Sequence, residues 1–157
     1  LHYARHSFPT RRSSDLYNRS TVSDPAIDEQ VSLEELLKRS DIVSLHCPLT
    51  ADTKGMIGKD QLALMKKSAL LINTARGGVL DSAALADALE KGEIAGAACD
   101  VFETEPPLPT DHPLLHCPNT IVTPHIAFAS VESMEQRADI VFNNLYSWLD
   151  GKQVNAV

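Results

Sequence analysis

The stretch from Leu70 to Leu80 constrains the fold more than any other part of the chain. It reads Leu-Leu-Ile-Asn-Thr-Ala-Arg-Gly-Gly-Val-Leu, so an apolar run gives way to polar residues, one arginine and two glycines. This pattern predicts a buried strand that turns sharply and brings Arg76 to its carboxyl end. In an open parallel sheet the ligand crevice lies outside the carboxyl ends of the strands, so Arg76 would face a ligand. The alternative is a solvated arginine in an ordinary turn before a helix.

Short apolar runs alternate with helical patterns along the rest of the chain. The sequence predicts the end of a strand at Tyr17 and further strands over residues 41–45, 95–101 and 120–123. Predicted helices run from a cap at Ser32 to about Arg39, from Lys59 to Lys67, from a cap at Asp81 to Gly92, and from Ser130 to about Leu149. This alternation implies an α/β fold with a doubly wound parallel sheet and right-handed crossovers. The apolar stripe of the last helix predicts that this helix packs on a neighbouring layer.

Composition narrows the classes of partner. A chain of 157 residues with 43% hydrophobic residues can fill one core, and a net charge of -7 argues against nucleic acid or an anionic membrane surface as the main partner. No run of 18 apolar residues is present to span a bilayer. The three cysteines are odd in number and far apart, which favours a reducing cytoplasm over a disulfide framework. The His46–Cys47 and His116–Cys117 pairs predict no metal site, because strand neighbours point to opposite faces.

Residues 1–16 differ in character from the rest of the chain. They hold three arginines and one acid, a balance of +2, and they show neither helical nor strand periodicity. The sequence from His6 to Leu16 resembles one reading frame of a sequencing-library adapter oligonucleotide. We interpret residues 1–16 as a non-native segment and exclude them from the fold. The alternative is a natural basic tail.

Three consecutive predicted strands end in polar groups suited to acid–base chemistry. Arg76 follows one strand, Asp100 the next with Glu105 just beyond it, and His125 the third. Because the ends of parallel strands share one edge of the sheet, these groups are expected to converge. A guanidinium can hold a carboxylate and an adjacent carbonyl oxygen, and a histidine paired with a carboxylate can exchange a proton near neutral pH. Such a set would polarise a carbonyl and leave its carbon open to hydride.

Ordered motifs at these positions resemble the NAD(P)-dependent D-2-hydroxyacid dehydrogenase family. They are Asn73–Gly78, Asp100–Pro106 and Thr123–Ile126, preceded by Ser44–Thr50 and Gly55–Gly58. The resemblance covers residues 17–157 and implies a Rossmann-like, partial dinucleotide-binding domain over residues 17–150. Residues 151–157 would form a tail toward a substrate domain that is mostly missing. The chain contains no G-x-G-x-x-G, so the first strand and its phosphate-binding turn would precede Tyr17, and we expect a fragment truncated at its N-terminus.

The resemblance also implies roles for single residues. Arg76 would bind the substrate carboxylate and carbonyl, His125 would be the acid/base, and Glu105 would be its carboxylate partner. The positions implied to hold the cofactor are Asn18, Arg19, Ser20, Cys47, Pro48, Thr74, Ala75, Arg76, Asp100, His125 and Ala127. Arg19 stands where a 2'-phosphate would bind, which favours NADP over NAD; the alternative is a surface arginine in a loop, which would leave the cofactor as NAD or NADP. Ala127–Phe128 replaces the common Gly-Gly and is similar to the glycerate dehydrogenase and hydroxypyruvate reductase branch.

The implied activity is reversible reduction of a small 2-oxo acid, such as hydroxypyruvate or glyoxylate, to a D-2-hydroxy acid by NAD(P)H. The parent protein would be a cytoplasmic homodimer. One alternative is a dinucleotide-sensing binding protein similar to transcriptional corepressors. Another is an inactive fragment whose unpaired central strand exposes apolar surface and causes aggregation.

Overall fold

The computed structural model describes residues 16–17, 29–104 and 107–155. Its strands are β1 (Leu16–Tyr17), β2 (Glu29–Gln30), β3 (Ile42–Leu45), β4 (Leu70–Asn73), β5 (Gly96–Cys99) and β6 (Thr120–Val122). Its α-helices are α1 (Leu33–Arg39), α2 (Lys59–Leu62), α3 (Ser82–Glu90) and α4 (Val131–Leu149), and short 3-10 helices span Gly77–Val79 and Pro113–Leu115. Strands thus alternate with helices, as predicted.

The main sheet has four parallel strands in the order β3-β4-β5-β6, and β1 pairs with β2 in a separate parallel ribbon. One row of partners runs from Leu45 to Asn73, on to Cys99 and then to Val122. All four strands therefore end level with one another. This register confirms the α/β parallel sheet and places the residues after each strand along one edge.

Local signals in the sequence set most helix boundaries. The side chains of Ser32, Asp81 and Ser130 each accept a hydrogen bond from a backbone N–H in the first turn of their helix. Gly92 has a φ of +65° just after α3, a conformation that glycine adopts without strain. α2 is shorter than predicted, because Leu64 and Met65 donate to carbonyls only three residues back, which converts the helix into a tighter turn. The strand β2 was not predicted.

The core lies between one face of the sheet and helices α1 to α3. Leu37, Leu62 and Leu85 from the three helices meet Val43 and Leu71 of the sheet, and all five are buried. The opposite face carries Ile42, Leu70 and Ile121, which are 59%, 42% and 67% exposed. Within the described residues, therefore, helices bury only one face of the sheet.

Helix α4 has no buried residue. Its apolar side chains are exposed, and those of Val131, Phe142 and Trp148 are more than half exposed. The prediction that its stripe packs on a neighbouring layer is wrong for the part of the chain that the structure describes, because no layer there covers it. After Gly151 the chain turns back, and the Asn155 side chain donates to Asn144 of α4. Among the described residues no helix is both long and apolar enough to cross a membrane.

Candidate active site

The turn after β4 is held by Asn73. This side chain is fully buried; its oxygen accepts from the Ala75 N–H at 3.1 Å and its nitrogen donates to the Arg76 carbonyl at 3.1 Å. An asparagine that bonds the backbone two residues later mimics a backbone turn. The short loop that carries Arg76 is therefore fixed by a buried side chain of the strand itself.

Gly77 is required by a close approach of two backbones. A Cβ atom on Gly77 would lie 1.8 Å from the Phe102 carbonyl carbon and 2.4 Å from the Glu103 nitrogen. A Cβ on Gly78 would meet only the side chain of Leu49, at 3.1 Å. The absence of a side chain at Gly77 therefore lets the backbone approach the segment after β5.

Arg76 is exposed and lies at an open cavity. Its Nη1 donates to the neighbouring Ala75 carbonyl at 2.6 Å. The cavity measures about 760 Å³, and its lining includes Arg76, Lys54, Gly78, Asp81, Phe102 and Glu103. A guanidinium in this place has room to meet an anion that enters from solvent.

His125 occupies a strained turn after β6. Its φ is +57°, in the left-handed region that non-glycine residues enter only in a few per cent of cases. Its backbone N–H donates to the Asp100 carbonyl at 2.9 Å, and its ring meets Phe128 edge to face at 6.2 Å between centroids. Backbone strain of this kind persists only where the surroundings enforce it and is concentrated at functional sites.

The Asp100 carboxylate holds the backbone of the His125 turn in place. It accepts the Ile126 and Ala127 N–H groups at 2.8 Å each and the Thr123 hydroxyl at 2.5 Å. Burial alone would raise the pKa of Asp100, but these three hydrogen bonds and the nearby His125 outweigh it, so the pKa is lower than usual. Asp100 is therefore an ionised, buried anchor for the turn. Its predicted contact with a cofactor stays a prediction.

His125 lines a second, mostly apolar cavity of about 260 Å³. Other residues on its wall are Asp100, Phe102, Leu108, Leu115, Val122 and Pro124. Phe102 borders both cavities. The structure thus brings Arg76, Asp100 and His125 to one edge of the sheet, with Arg76 and His125 on adjacent cavities that share Phe102.

Five of the remaining predicted cofactor positions follow strands at the same edge. Pro48, Thr74 and Ala127 are exposed, and Ala75 is buried. Cys47 is half-buried, and burial raises the pKa of its thiol although its own backbone N–H opposes this. The predicted residues Asn18, Arg19, Ser20 and Glu105 lie outside the described residues.

The structure adds a pair that the sequence did not reveal. Glu103 accepts the Ser82 N–H at 3.1 Å with one oxygen, and its other oxygen lies 3.5 Å from Nε2 of His112. His112 lies in a loop, yet its side chain is only 11% exposed. No local pattern could have found these contacts, because Glu103 lies 9 residues from His112 and 21 residues from Ser82.

Comparison with known proteins gives a consistent result. Residues 12–127 match the family model for the NAD-binding domain of D-isomer specific 2-hydroxyacid dehydrogenases. Glycerate dehydrogenase of Methylorubrum extorquens is 51% identical over 133 residues, which make up 83% of this chain and 42% of that protein. The match therefore covers less than half of that relative's length.

Solved structures share the fold. The TT0316 protein from Thermus thermophilus superposes with a TM-score of 0.80 and 42% identity, over 88% of this chain and 43% of that one. An acyclic imino acid reductase, Bsp5, solved with NADPH and D-Arg, superposes with a TM-score of 0.76 and 37% identity, over 90% of this chain and 44% of that one.

Proposed function

The chain belongs to the D-isomer specific 2-hydroxyacid dehydrogenase family, as part of the NAD-binding domain, and we propose that the whole protein reduces a small 2-oxo acid to a D-2-hydroxy acid. The observation that carries this proposal is the edge where β4, β5 and β6 end level, with Arg76, Asp100 and His125 directly beyond them. An anion-binding cation and a proton-exchanging ring on adjacent cavities are what carbonyl reduction requires.

Arg76 is proposed to bind the carboxylate and the 2-oxo oxygen of the substrate. Its guanidinium presents a planar fork of donors, which matches these two acceptors. Its Nη1 contacts the Ala75 carbonyl, a hydrogen bond to a neutral acceptor that one to a charged acceptor can replace. Binding would draw electron density toward the 2-oxo oxygen and leave C2 electrophilic.

His125 is proposed to donate a proton to the 2-oxo oxygen as the C2–H bond forms, and to accept that proton in the reverse reaction. When bound, NAD(P)H would supply the hydride. The turn anchored by Asp100 fixes the backbone of His125, and Glu105 is proposed to pair with its ring and favour the protonated form. The proton given up by His125 is replaced from solvent, so one 2-oxo acid consumes one hydride and one proton.

The strand ends suit the nicotinamide half of a dinucleotide. Cys47, Pro48, Thr74, Ala75 and Ala127 follow three of the strands at this edge and are proposed to line that half. The chain holds no G-x-G-x-x-G turn for the pyrophosphate, so we propose that another part of the whole protein binds the pyrophosphate.

Cofactor and substrate preferences are further parts of the proposal. Arg19 supports NADP, because an arginine near the ribose accommodates a 2'-phosphate. Similarity to a glycerate dehydrogenase supports hydroxypyruvate or glyoxylate as substrate. We further propose a homodimeric, cytoplasmic parent in which residues 17–150 belong to the dinucleotide-binding domain and residues 151–157 lead toward the substrate domain.

The test begins with the genomic DNA on both sides of the Tyr17 codon. The complete protein is then expressed and assayed with hydroxypyruvate and glyoxylate, each with NADH and NADPH. We expect turnover with one cofactor preferred, and Arg76→Gln should raise the KM for the 2-oxo acid, whereas His125→Asn should lower kcat. Lys91→Ala, at a remote exposed site, is the control. Tight NAD(P)H binding without turnover would instead support a dinucleotide-sensing protein.

A further inference from the structure

Glu103 joins three parts of the molecule that are distant in sequence. One carboxylate oxygen accepts the Ser82 N–H at the start of α3, and the other faces Nε2 of His112. Burial would raise the pKa of Glu103, but hydrogen bonds from Ser82 and His112 contribute to holding it below its usual range. The carboxylate is therefore ionised at neutral pH and can form charge-assisted contacts on both sides.

His112 in turn is attached to the core. It precedes the short helix Pro113–Leu115, whose Leu114 is buried in the same apolar cluster as Leu85 of α3. Its ring packs edge to face on Phe102, with 5.2 Å between centroids. A histidine held in this way presents Nε2 to Glu103 from a fixed position. Helix α3 thus contacts both sides of the pair: its first residue, Ser82, bonds Glu103, and its Leu85 packs in the same cluster as Leu114 beside His112.

The pair bears on Arg76 through Gly77. The Phe102–Glu103 backbone lies against Gly77 so closely that no side chain fits there. Gly77 follows Arg76 directly and begins the short helix that leads, through the cap Asp81, into α3. A shift of the Phe102–Glu103 backbone would therefore move the turn that presents Arg76.

We propose that Glu103 and His112 are positioning residues that press the Phe102–Glu103 backbone against Gly77 and thereby fix Arg76 for the carboxylate of the 2-oxo acid. The inference rests on the proposed function for the identity of that anion. Neither residue is assigned contact with the substrate. The pair acts on binding geometry, so its loss changes substrate affinity before it changes the chemical step.

Two variants test the pair in the chain itself. Glu103→Ala removes both contacts, and His112→Phe keeps an aromatic edge against Phe102 while removing the contact between Nε2 and Glu103. NMR-detected hydrogen exchange of Val79 and Leu80, which donate to the Arg76 and Gly77 carbonyls, reports the state of the Arg76 turn. We expect both amides to exchange roughly 5-fold to 10-fold faster in both variants, as local opening becomes easier. His116→Phe is the matched control, since His116 bonds the Thr110 carbonyl of its own loop.

Kinetics of the complete protein test the consequence for binding. In His112→Phe the KM for the 2-oxo acid should rise about 10-fold, with kcat and the KM for NAD(P)H within about 3-fold of the parent. Glu103→Gln keeps an acceptor for Ser82 and should fall between the parent and Glu103→Ala.

Unchanged Val79 and Leu80 exchange in His112→Phe, or an unchanged KM in an active enzyme, would overturn this inference and leave the proposed function intact. A fall in kcat together with a rise in both KM values and a lower melting temperature would overturn it too, because that pattern indicates general loosening. A complete protein that turns over no 2-oxo acid would contradict the proposed function, and the positioning role with it, whatever the exchange data show.

Discussion

Replacing Asp100 with asparagine tests whether a buried carboxylate holds the His125 turn. Asparagine has the same shape but only one acceptor oxygen; with that oxygen facing the Thr123 hydroxyl and the Ile126 N–H, its NH₂ group would face the Ala127 N–H. One buried donor left without an acceptor costs about 1–3 kcal/mol, and hydrogen bonds to a neutral oxygen are weaker than those to a charged one. We therefore expect the free energy of unfolding at pH 7 to fall by about 2–3 kcal/mol.

The stability difference between the parent and Asp100→Asn should depend on pH in one direction. The pKa of Asp100 is lower in the folded protein than its usual 3.8, so the unfolded state binds the proton more readily. The stabilising effect is then fully present above pH 3.8 and is lost as the pH falls through the folded pKa. The gap between the parent and Asp100→Asn should be largest at pH 7 and should narrow steadily below about pH 4.

Urea unfolding followed by circular dichroism between pH 7 and pH 3 measures both effects. Thr123→Ser is the matched control, because it keeps the hydroxyl donor and should lie within about 0.5 kcal/mol of the parent. Thr123→Val removes one donor and leaves two, so it should cost about 1 kcal/mol. A gap for Asp100→Asn below about 0.5 kcal/mol at pH 7, or one that does not depend on pH, would refute the anchoring role.

Three further predictions follow from packing. Gly77→Ala should cost about 3 kcal/mol or prevent folding, because its Cβ would meet the Phe102 backbone, whereas Gly78→Ala should cost under about 1 kcal/mol; urea midpoints compare them. Burial raises the pKa of Cys99 to about 12, so its thiol should react with a disulfide reagent at pH 8 only after unfolding, and prompt labelling of the folded chain would contradict this. The exposed sheet face should make the isolated chain self-associate, and Ile42→Lys should shift it toward monomer in sedimentation velocity; a monomeric parent would contradict the idea.

The order of elements could be predicted because their signals are local. Ser32 and Asp81 act on residues three positions away, and Gly92 ends a helix through its own φ. The level ends of the strands also follow from the sequence, since parallel strands with short apolar runs leave their next residues at one edge. The family resemblance then linked Arg76 and His125 to a reaction, and the family match of residues 12–127 agrees with it.

The support of the site could not be predicted in the same way, because its contacts are not local. Asp100 bonds residues 26 and 27 positions away, and Glu103 bonds one 21 positions away, so neither contact leaves a period in the sequence. Both carboxylates resemble loop or site residues in the sequence, yet each holds a turn that presents another side chain. In this domain the residues proposed for chemistry, Arg76 and His125, lie on short turns, and the carboxylates of Asp100 and Glu103 are bonded to the backbone that surrounds those turns. Variants of Asp100 and Glu103 should therefore alter catalysis by changing the positions of Arg76 and His125. The turnover of a substrate that needs neither Arg76 nor His125 should stay unchanged in these variants.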